Sequence, residues 1–357
     1  MKGLVLAGGH GTRLRPLTST GNKHMIPVAN QPILFYSLRQ LADVGVRDVG
    51  IVLGPIREGI RESVGSGEDF GLEVTYIEQG PPRGLADAVR CAREFLGNDA
   101  FIMYLGDNLL ESGLRQFVDR FGQDRPDAVL GVTPVSRPHR YGIIELDGAR
   151  IVSIEEKPRT PRSNLAIIGV YIFSPRIHAI IESLRPSGRG ELEITDAIRD
   201  LSQLGAPISV QQVLGWWKDT GAPEDLLEAN DLVLNSRATE FFSCEGTVQH
   251  GATITGKVAL GRGSIIESGA SVAGPTVIGK DARIAHGTTL GPNTAVGDRA
   301  ELLGCSIRRS ILLEGARVIG PVVIRDSLIG RDCEVRGNGQ GTREATIVIG
   351  DGSRVYI

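Results

Sequence analysis

Residues 4–14 read Leu4-Val5-Leu6-Ala7-Gly8-Gly9-His10-Gly11-Thr12-Arg13-Leu14. Leu4 to Ala7 is a short apolar run that stops at a glycine pair, the pattern of a buried strand entering a turn. Glycines just past such a strand let backbone N–H groups close on phosphate oxygens, because no Cβ stands in the way. Arg13 adds a planar fork suited to phosphate. Ten residues on, Lys23 precedes His24-Met25-Ile26-Pro27, placed to reach the same polyphosphate. Taken alone, the glycines fit a tight strand-to-helix turn with a surface arginine equally well. A Walker loop is excluded, since no Gly-Lys-Ser/Thr follows. A dinucleotide fingerprint fails too, since no acidic residue stands at the ribose position.

Working outward, the same rhythm continues. Ile33–Ala42 has a helical pattern, with Pro32 suited to its first turn. Val49–Leu53, Val74–Ile77, Ala100–Leu105 and Ala128–Val132 read as strands; Leu85–Phe95 and Leu114–Phe121 read as helices. This alternation predicts an α/β domain with a Rossmann-like mixed, mostly parallel sheet and helices on both faces. Ligands of such sheets bind beyond the C-terminal strand ends, where the glycine turn at 8–11 and Asp107 both fall. Leu226–Leu234 is again helical, and Asn235-Ser236 suits its end.

From about residue 247 the pattern changes. Every sixth residue from 254 to 302 is aliphatic: Ile254, Leu260, Ile266, Val272, Ile278, Ile284, Leu290, Val296, Leu302. Glycine often follows directly, as at Leu260-Gly261 and Ile278-Gly279. A period of six suits neither an amphipathic helix nor an alternating strand. It predicts a hexapeptide-repeat, left-handed parallel β-helix whose coils bury one aliphatic column. Arg308 breaks the period, so a loop or a misaligned coil is expected there; the register resumes at Leu312, Val318 and Ile324, then at Ile329 and Val335. The expected organisation is an α/β domain over 1–240 and a β-helix over 247–357, with the linker between Asn235 and Val248.

Composition narrows the partners. The 357 residues suffice for about two domains, at roughly 100–200 residues each. A net charge of −3 gives no global field toward nucleic acid or anionic membrane. No apolar run approaches the roughly 18 residues of a spanning helix, and Gly8-Gly9 ends the brief apolar start. The four cysteines form no Cys-x-x-Cys pair, so a zinc site or disulfide framework is not expected and a reducing cytoplasm is the expected location.

Seven stretches carry a resemblance over nearly the whole chain: Gly8–Leu14, Lys23–Pro27, Gln79–Ala86, Leu105–Asn108, Glu155–Pro158, Arg189–Asp196 and Trp217–Gly221. Arg-Gly-Glu-Leu-Glu-Ile-Thr-Asp at 189–196 and Trp-Lys-Asp-Thr-Gly at 217–221 are the most specific. On these the sequence resembles the sugar-1-phosphate nucleotidylyltransferases, and within them the long-form glucose-1-phosphate thymidylyltransferases that carry a hexapeptide-repeat tail. The resemblance makes the first domain catalytic and implies dTTP and glucose 1-phosphate as substrates. It further implies Mg2+ as cofactor and a homo-oligomer, with neither nucleic acid nor membrane as partner.

Nucleotidylyl transfer brings two anions together, so neutralisation and alignment supply most of its catalysis. Arg13 and Lys23 are expected on the triphosphate, and Lys157 on the sugar phosphate. By resemblance, Leu6, Gly8, Gly9, Gly11, Thr12, Gln79, Gly84 and Asp107 contact nucleotide, with Gln79 reading the base. Asn108, Tyr141, Gly142, Glu156, Gly169, Val170 and Arg189 join Lys157 around the sugar phosphate. Asp107 and Asp219, both expected in loops, are the candidate magnesium ligands, since this ion commonly takes one or two carboxylates plus phosphates and waters. Read without the resemblance, Gly106-Asp107-Asn108 fits an Asx turn and Lys157 a surface turn. Two residues depart from the short-form pattern: His24 and Asp87 stand where glutamine is usual. His286, alone in the repeat, is expected to be structural.

Overall fold

The computed structural model describes all residues except 58, 149, 237–244 and 339–343. Part of the expected linker, 237–244, therefore lies outside the described residues. Two compact units form. The first comprises Met1–His10 with Leu34–Asp219, and the second Gly11–Ile33 with Thr220–Ile357.

The first unit is built on a nine-stranded mixed sheet. Its parallel block runs Glu73–Glu78, Asp48–Leu53, Lys2–Ala7, Phe101–Leu105. The three inner strands, Asp48–Leu53, Lys2–Ala7 and Phe101–Leu105, are buried through their centres, which is why they read as continuous apolar runs, whereas Glu73–Glu78 at the end of the block is only partly covered. Leu165–Phe173 then pairs antiparallel with Phe101–Leu105, and also with Ala128–Pro134 and Gly142–Asp147. Arg150–Glu156 closes one edge. The parallel block shares one polarity, so its four C-terminal ends emerge together. They carry Gly8-Gly9, Gly54, Gln79 and Gly106-Asp107.

Three local expectations are corrected here. Pro32 lies before its helix, not in it: Pro27–Val28 and Gln31–Pro32 form a small antiparallel hairpin, and the helix runs Ile33–Asp43. The helix expected over Leu85–Phe95 divides at Ala92 into Leu85–Cys91 and Arg93–Leu96. There the Ala92 N–H is shared between Ala88 O and Val89 O, which tightens the turn. Trp217–Asp219, expected as loop, is a strand paired with Asn108–Leu110.

In the second unit, strands of two or three residues stack into three parallel sheets of seven, six and six strands, the architecture of a left-handed β-helix. Leu260, Ile266, Val272, Ile278, Ile284, Leu290, Val296 and Leu302 are buried in one column. Burying each aliphatic side chain contributes about 1.5–3 kcal/mol, and the column extends this along the repeat. Two expectations fail at its ends and middle. Ile254 stays 37% exposed because it belongs to an outermost strand, Thr253–Thr255, which among the described residues is covered from one side only. Arg308 is neither loop nor misaligned: it ends the strand Ser306–Arg308, paired in register with Val323–Arg325. Ile307 takes the inward place opposite Leu290. The coil accommodates this by dropping single residues in its turns, where Gly304 and Arg309 have φ of 64° and 46°.

Ile278→Asp places a carboxylate at a 1% exposed position of the column, with no partner to hold its charge. The expected outcome in a thermal melt is loss of cooperative unfolding of the β-helix, a cost of several kcal/mol. Ile265→Asp, at a neighbouring position 38% exposed, should melt close to wild type. Equal melts for the two variants would contradict the inward assignment.

Candidate active site

In the first unit, one side chain ties several segments together. Asn108 is buried, and its Oδ1 accepts from Trp217 Nε1 at 2.7 Å and from the Gly169 N–H at 3.3 Å. Its Nδ2 donates to Asp107 Oδ1 at 2.9 Å. The antiparallel register sets Asp219 opposite Asn108, one residue from Asp107. Thus both candidate metal ligands converge, although 112 positions separate them in the chain (219 − 107). Gly169 is needed for this approach: an added Cβ would lie 2.6 Å from Asn108 Oδ1 and 2.8 Å from Leu105 Cβ. Val170, next to it, is wholly buried and pairs with Tyr104, so it shapes the strand from within the core.

The sugar-phosphate candidates form a second group. Tyr141 packs edge-on to Trp217, with ring centroids 5.4 Å apart. The Lys157 N–H donates to Tyr141 O at 3.0 Å, and Lys157 Nζ lies 3.5 Å from Glu156. Lys157 has a φ of 44°, uncommon for a residue with a Cβ and found more often at functional sites. Glu156 Oε2 accepts from Thr195 Oγ1 at 3.2 Å. A Cβ on Gly142 would strike Thr195 at 2.6 Å. Arg189 is met by Glu191 at 3.0 Å, Glu156 at 3.4 Å and Glu193 at 3.6 Å. Burial pushes the Glu193 carboxyl above its ordinary range, and the neighbouring Glu156 adds to this.

The candidates for the base side lie where Glu73–Glu78 ends. Gln79 is buried and donates from Nε2 to Asp87 Oδ2 at 2.9 Å and to Gly84 O at 3.3 Å. A Cβ on Gly8 would lie 3.5 Å from Gln79 Oε1, so this amide borders the glycine turn. Gly9 follows with a φ of 109°, and Leu6 is buried beneath in the strand. Gly84 has a φ of 105°, and a Cβ there would meet Leu192 O at 2.4 Å. Two hydrogen bonds, Leu192 N–H to Arg83 O and Ala86 N–H to Leu192 O, join the Gln79–Ala86 and Arg189–Asp196 stretches.

The second unit holds Gly11, Thr12, Arg13 and Lys23. Gly11 O accepts from Thr18 Oγ1 at 2.8 Å. Arg13 and Thr12 are exposed, and a Cβ on Gly221 would lie 3.0 Å from Arg13 Nη2. His24 is buried, its Nδ1 2.6 Å from Asn22 Oδ1. The β-helix holds this segment at two places. Asn30 Nδ2 donates to Val296 O at 2.6 Å, and Thr20 Oγ1 donates to Asp351 Oδ2 at 2.7 Å. His286 is exposed, with its ring against Ser268 O, as a structural residue would be.

Sequence reasoning passed over Glu193, Thr195 and the side chain of Trp217 as contributors. All three lie inside motifs that the resemblance used whole; Thr195 and Trp217 act through contacts 39 and 109 residues away, to Glu156 and Asn108, while Glu193 meets Arg189 and Ser187 within its own stretch.

The nucleotidyl transferase family model matches residues 2–236, and the chain belongs to that family. The GMPPB C-terminal domain model matches residues 272–356. The chain is 43% identical to glucose-1-phosphate thymidylyltransferases of Streptomyces antibioticus and Streptomyces griseus, covering 100% of this chain and 99% of each relative. A solved Bacillus anthracis structure, assigned as a glucose-1-phosphate thymidylyltransferase and bound to sucrose, matches with a TM-score of 0.61 and 35% identity. It covers 64% of this chain and 94% of its own. Among the described residues, no helix is long and apolar enough to cross a membrane.

Gly169→Ala should drive a methyl into Asn108 and cost about 1–3 kcal/mol by overpacking. Gly188→Ala, where nothing lies within 4 Å, should stay within about 0.5 kcal/mol of wild type. Denaturant titration of both variants checks this; equal stabilities would remove Asn108 as the junction.

Proposed function

We propose that the chain transfers the thymidylyl group of dTTP to glucose 1-phosphate, giving dTDP-glucose and pyrophosphate. The observation that carries this is the pairing of Trp217–Asp219 with Asn108–Leu110, which sets Asp219 beside Asp107 at the end of a central strand. Full-length likeness to two glucose-1-phosphate thymidylyltransferases supports the choice of substrates.

In the reaction, a phosphate oxygen of the sugar phosphate bonds to the α-phosphorus of dTTP. The bond from that phosphorus to the bridging oxygen breaks, and pyrophosphate leaves. In this reading Arg13 and Lys23 neutralise the triphosphate and the departing pyrophosphate. Lys157 and Arg189 take the sugar phosphate. Glu156, held by Thr195, accepts from sugar hydroxyls, and Tyr141 against Trp217 walls that pocket. Holding both reactants in line supplies most of the acceleration, since the residues take no covalent part.

Asp107 and Asp219 fit a magnesium ion. Both are half-buried carboxylates, hard oxygen donors, and Asn108 fixes the first of them. Two protein carboxylates suit an ion that keeps its other positions for phosphates and water. When bound, it would neutralise charge building on the α-phosphate.

Asp219→Asn keeps the shape and removes the charge. Pyrophosphate release should fall by orders of magnitude, with the melting curve unchanged. Near-normal magnesium-dependent turnover would overturn the assignment. For wild type, release across the common nucleoside triphosphates should be fastest with dTTP, with UTP next; a purine triphosphate in the lead would overturn the substrate reading.

A further inference from the structure

The inference here rests on the function proposed above, with Gln79, whose amide borders the glycine turn at Gly8, taken as the residue that meets the base. An amide has two faces, an acceptor oxygen and a donor nitrogen, and a free glutamine can turn either toward a ligand. In this structure the choice is already made. Nε2 has two acceptors, Asp87 Oδ2 at 2.9 Å and Gly84 O at 3.3 Å. An ionised carboxylate only accepts, so a flipped amide would set Oε1 against carboxylate oxygen and repel it. Oε1 therefore points away from Asp87 and borders Gly8. Among the described residues it accepts no hydrogen bond. Asp87 is itself 4% exposed, and its other oxygen accepts from Arg90, which balances the buried charge.

We infer that Asp87 is a specificity-determining positioning residue: by binding the amide nitrogen of Gln79, it presents only an acceptor to the base. That acceptor needs an N–H on the base. Thymine and uracil carry one at N3. Cytosine has a lone pair at N3, and adenine has one at N1. Guanine has an N1–H but brings a second ring. Asp87 thus sets the preference for the two N3–H pyrimidines over cytosine, without touching the nucleotide. A site built to pair one polar group rejects analogues that lack it far more strongly than an apolar pocket rejects a missing methyl.

Asp87→Asn tests this with almost no change of size. Asparagine both accepts and donates, so it tolerates either orientation of Gln79. The ratio of kcat/KM for dTTP over dCTP should fall at least about tenfold, chiefly by a gain on dCTP. KM for glucose 1-phosphate and the melting temperature should stay as in wild type. Arg90→Ala removes the ion pair but keeps the carboxylate on the amide, so it should retain the wild-type ratio. A role of Asp87 in stability alone would lower activity on both triphosphates equally and leave the ratio unmoved; that result, or an unchanged ratio in a folded Asp87→Asn, would overturn the inference. Should Asp87→Asn fail to fold, the Arg90→Ala ratio decides: a collapse there would show that charge balance, not amide orientation, sets specificity. Wild-type preference for dTTP upholds the function reading whichever way the variants fall, while wild-type preference for a purine triphosphate overturns both.

Discussion

The arrangement of the first unit depends on one buried amide. Asn108 accepts from Trp217 and from the Gly169 backbone, and donates to Asp107. Each such bond contributes about 0.5–1.5 kcal/mol, but a buried donor left unpaired costs about 1–3 kcal/mol. The asymmetry makes the junction all-or-none. Removing Asn108 would orphan the Gly169 N–H and the Trp217 indole together, and would free Asp107 to turn. The strand Trp217–Asp219 has only three residues, too few to hold a register unaided, so the indole contact fixes which residue lies opposite Asp219. The position of the second carboxylate therefore follows from an amide that carries no charge of its own.

Chain connectivity adds a second constraint. The glycine turn begins in the first unit and ends in the second, because Gly11–Ile33 packs with the β-helix. Asn30 bonds to Val296 and Thr20 to Asp351, at coil turns that end strands of the repeat. Ala29 N–H donates to Asn230 in the helix Pro223–Asn235, and Asn230 donates in turn to Asn293 O. The segment bearing Arg13 and Lys23 is thus tied to the repeat by its own Asn30 amide and Thr20 hydroxyl, and to the helix Pro223–Asn235 by Asn230. Cations on a backbone already ordered lose less freedom on meeting a ligand than cations on a mobile loop.

Much of this was legible from local pattern. Apolar runs ending in glycine located the parallel strands, and the period of six located the β-helix. Both signals are short-range: they depend on residues within one strand or one coil. The failures share the opposite character. Trp217–Asp219 lacks the length to read as a strand and becomes one only through its partner at 108–110. Arg308 broke the six-residue count, yet the coil absorbed the slip in its turns and moved Ile307 inward. Ile254 kept the period, but among the described residues no coil covers it. In the site, the motifs named Gln79, Asp107 and Lys157, but not what orients them. Asp87 lies eight residues from Gln79, at a spacing that belongs to no single element, and its grip on the amide comes from the turn at Gly84.

In the proposed function Asp107 and Asp219 hold one divalent ion on the triphosphate. Crystals grown with dTTP and manganese in place of magnesium test it directly through anomalous scattering. A manganese peak is expected within coordination distance of both carboxylates and of phosphate oxygens. A peak held by phosphates alone, or by carboxylates elsewhere in the chain, would contradict it.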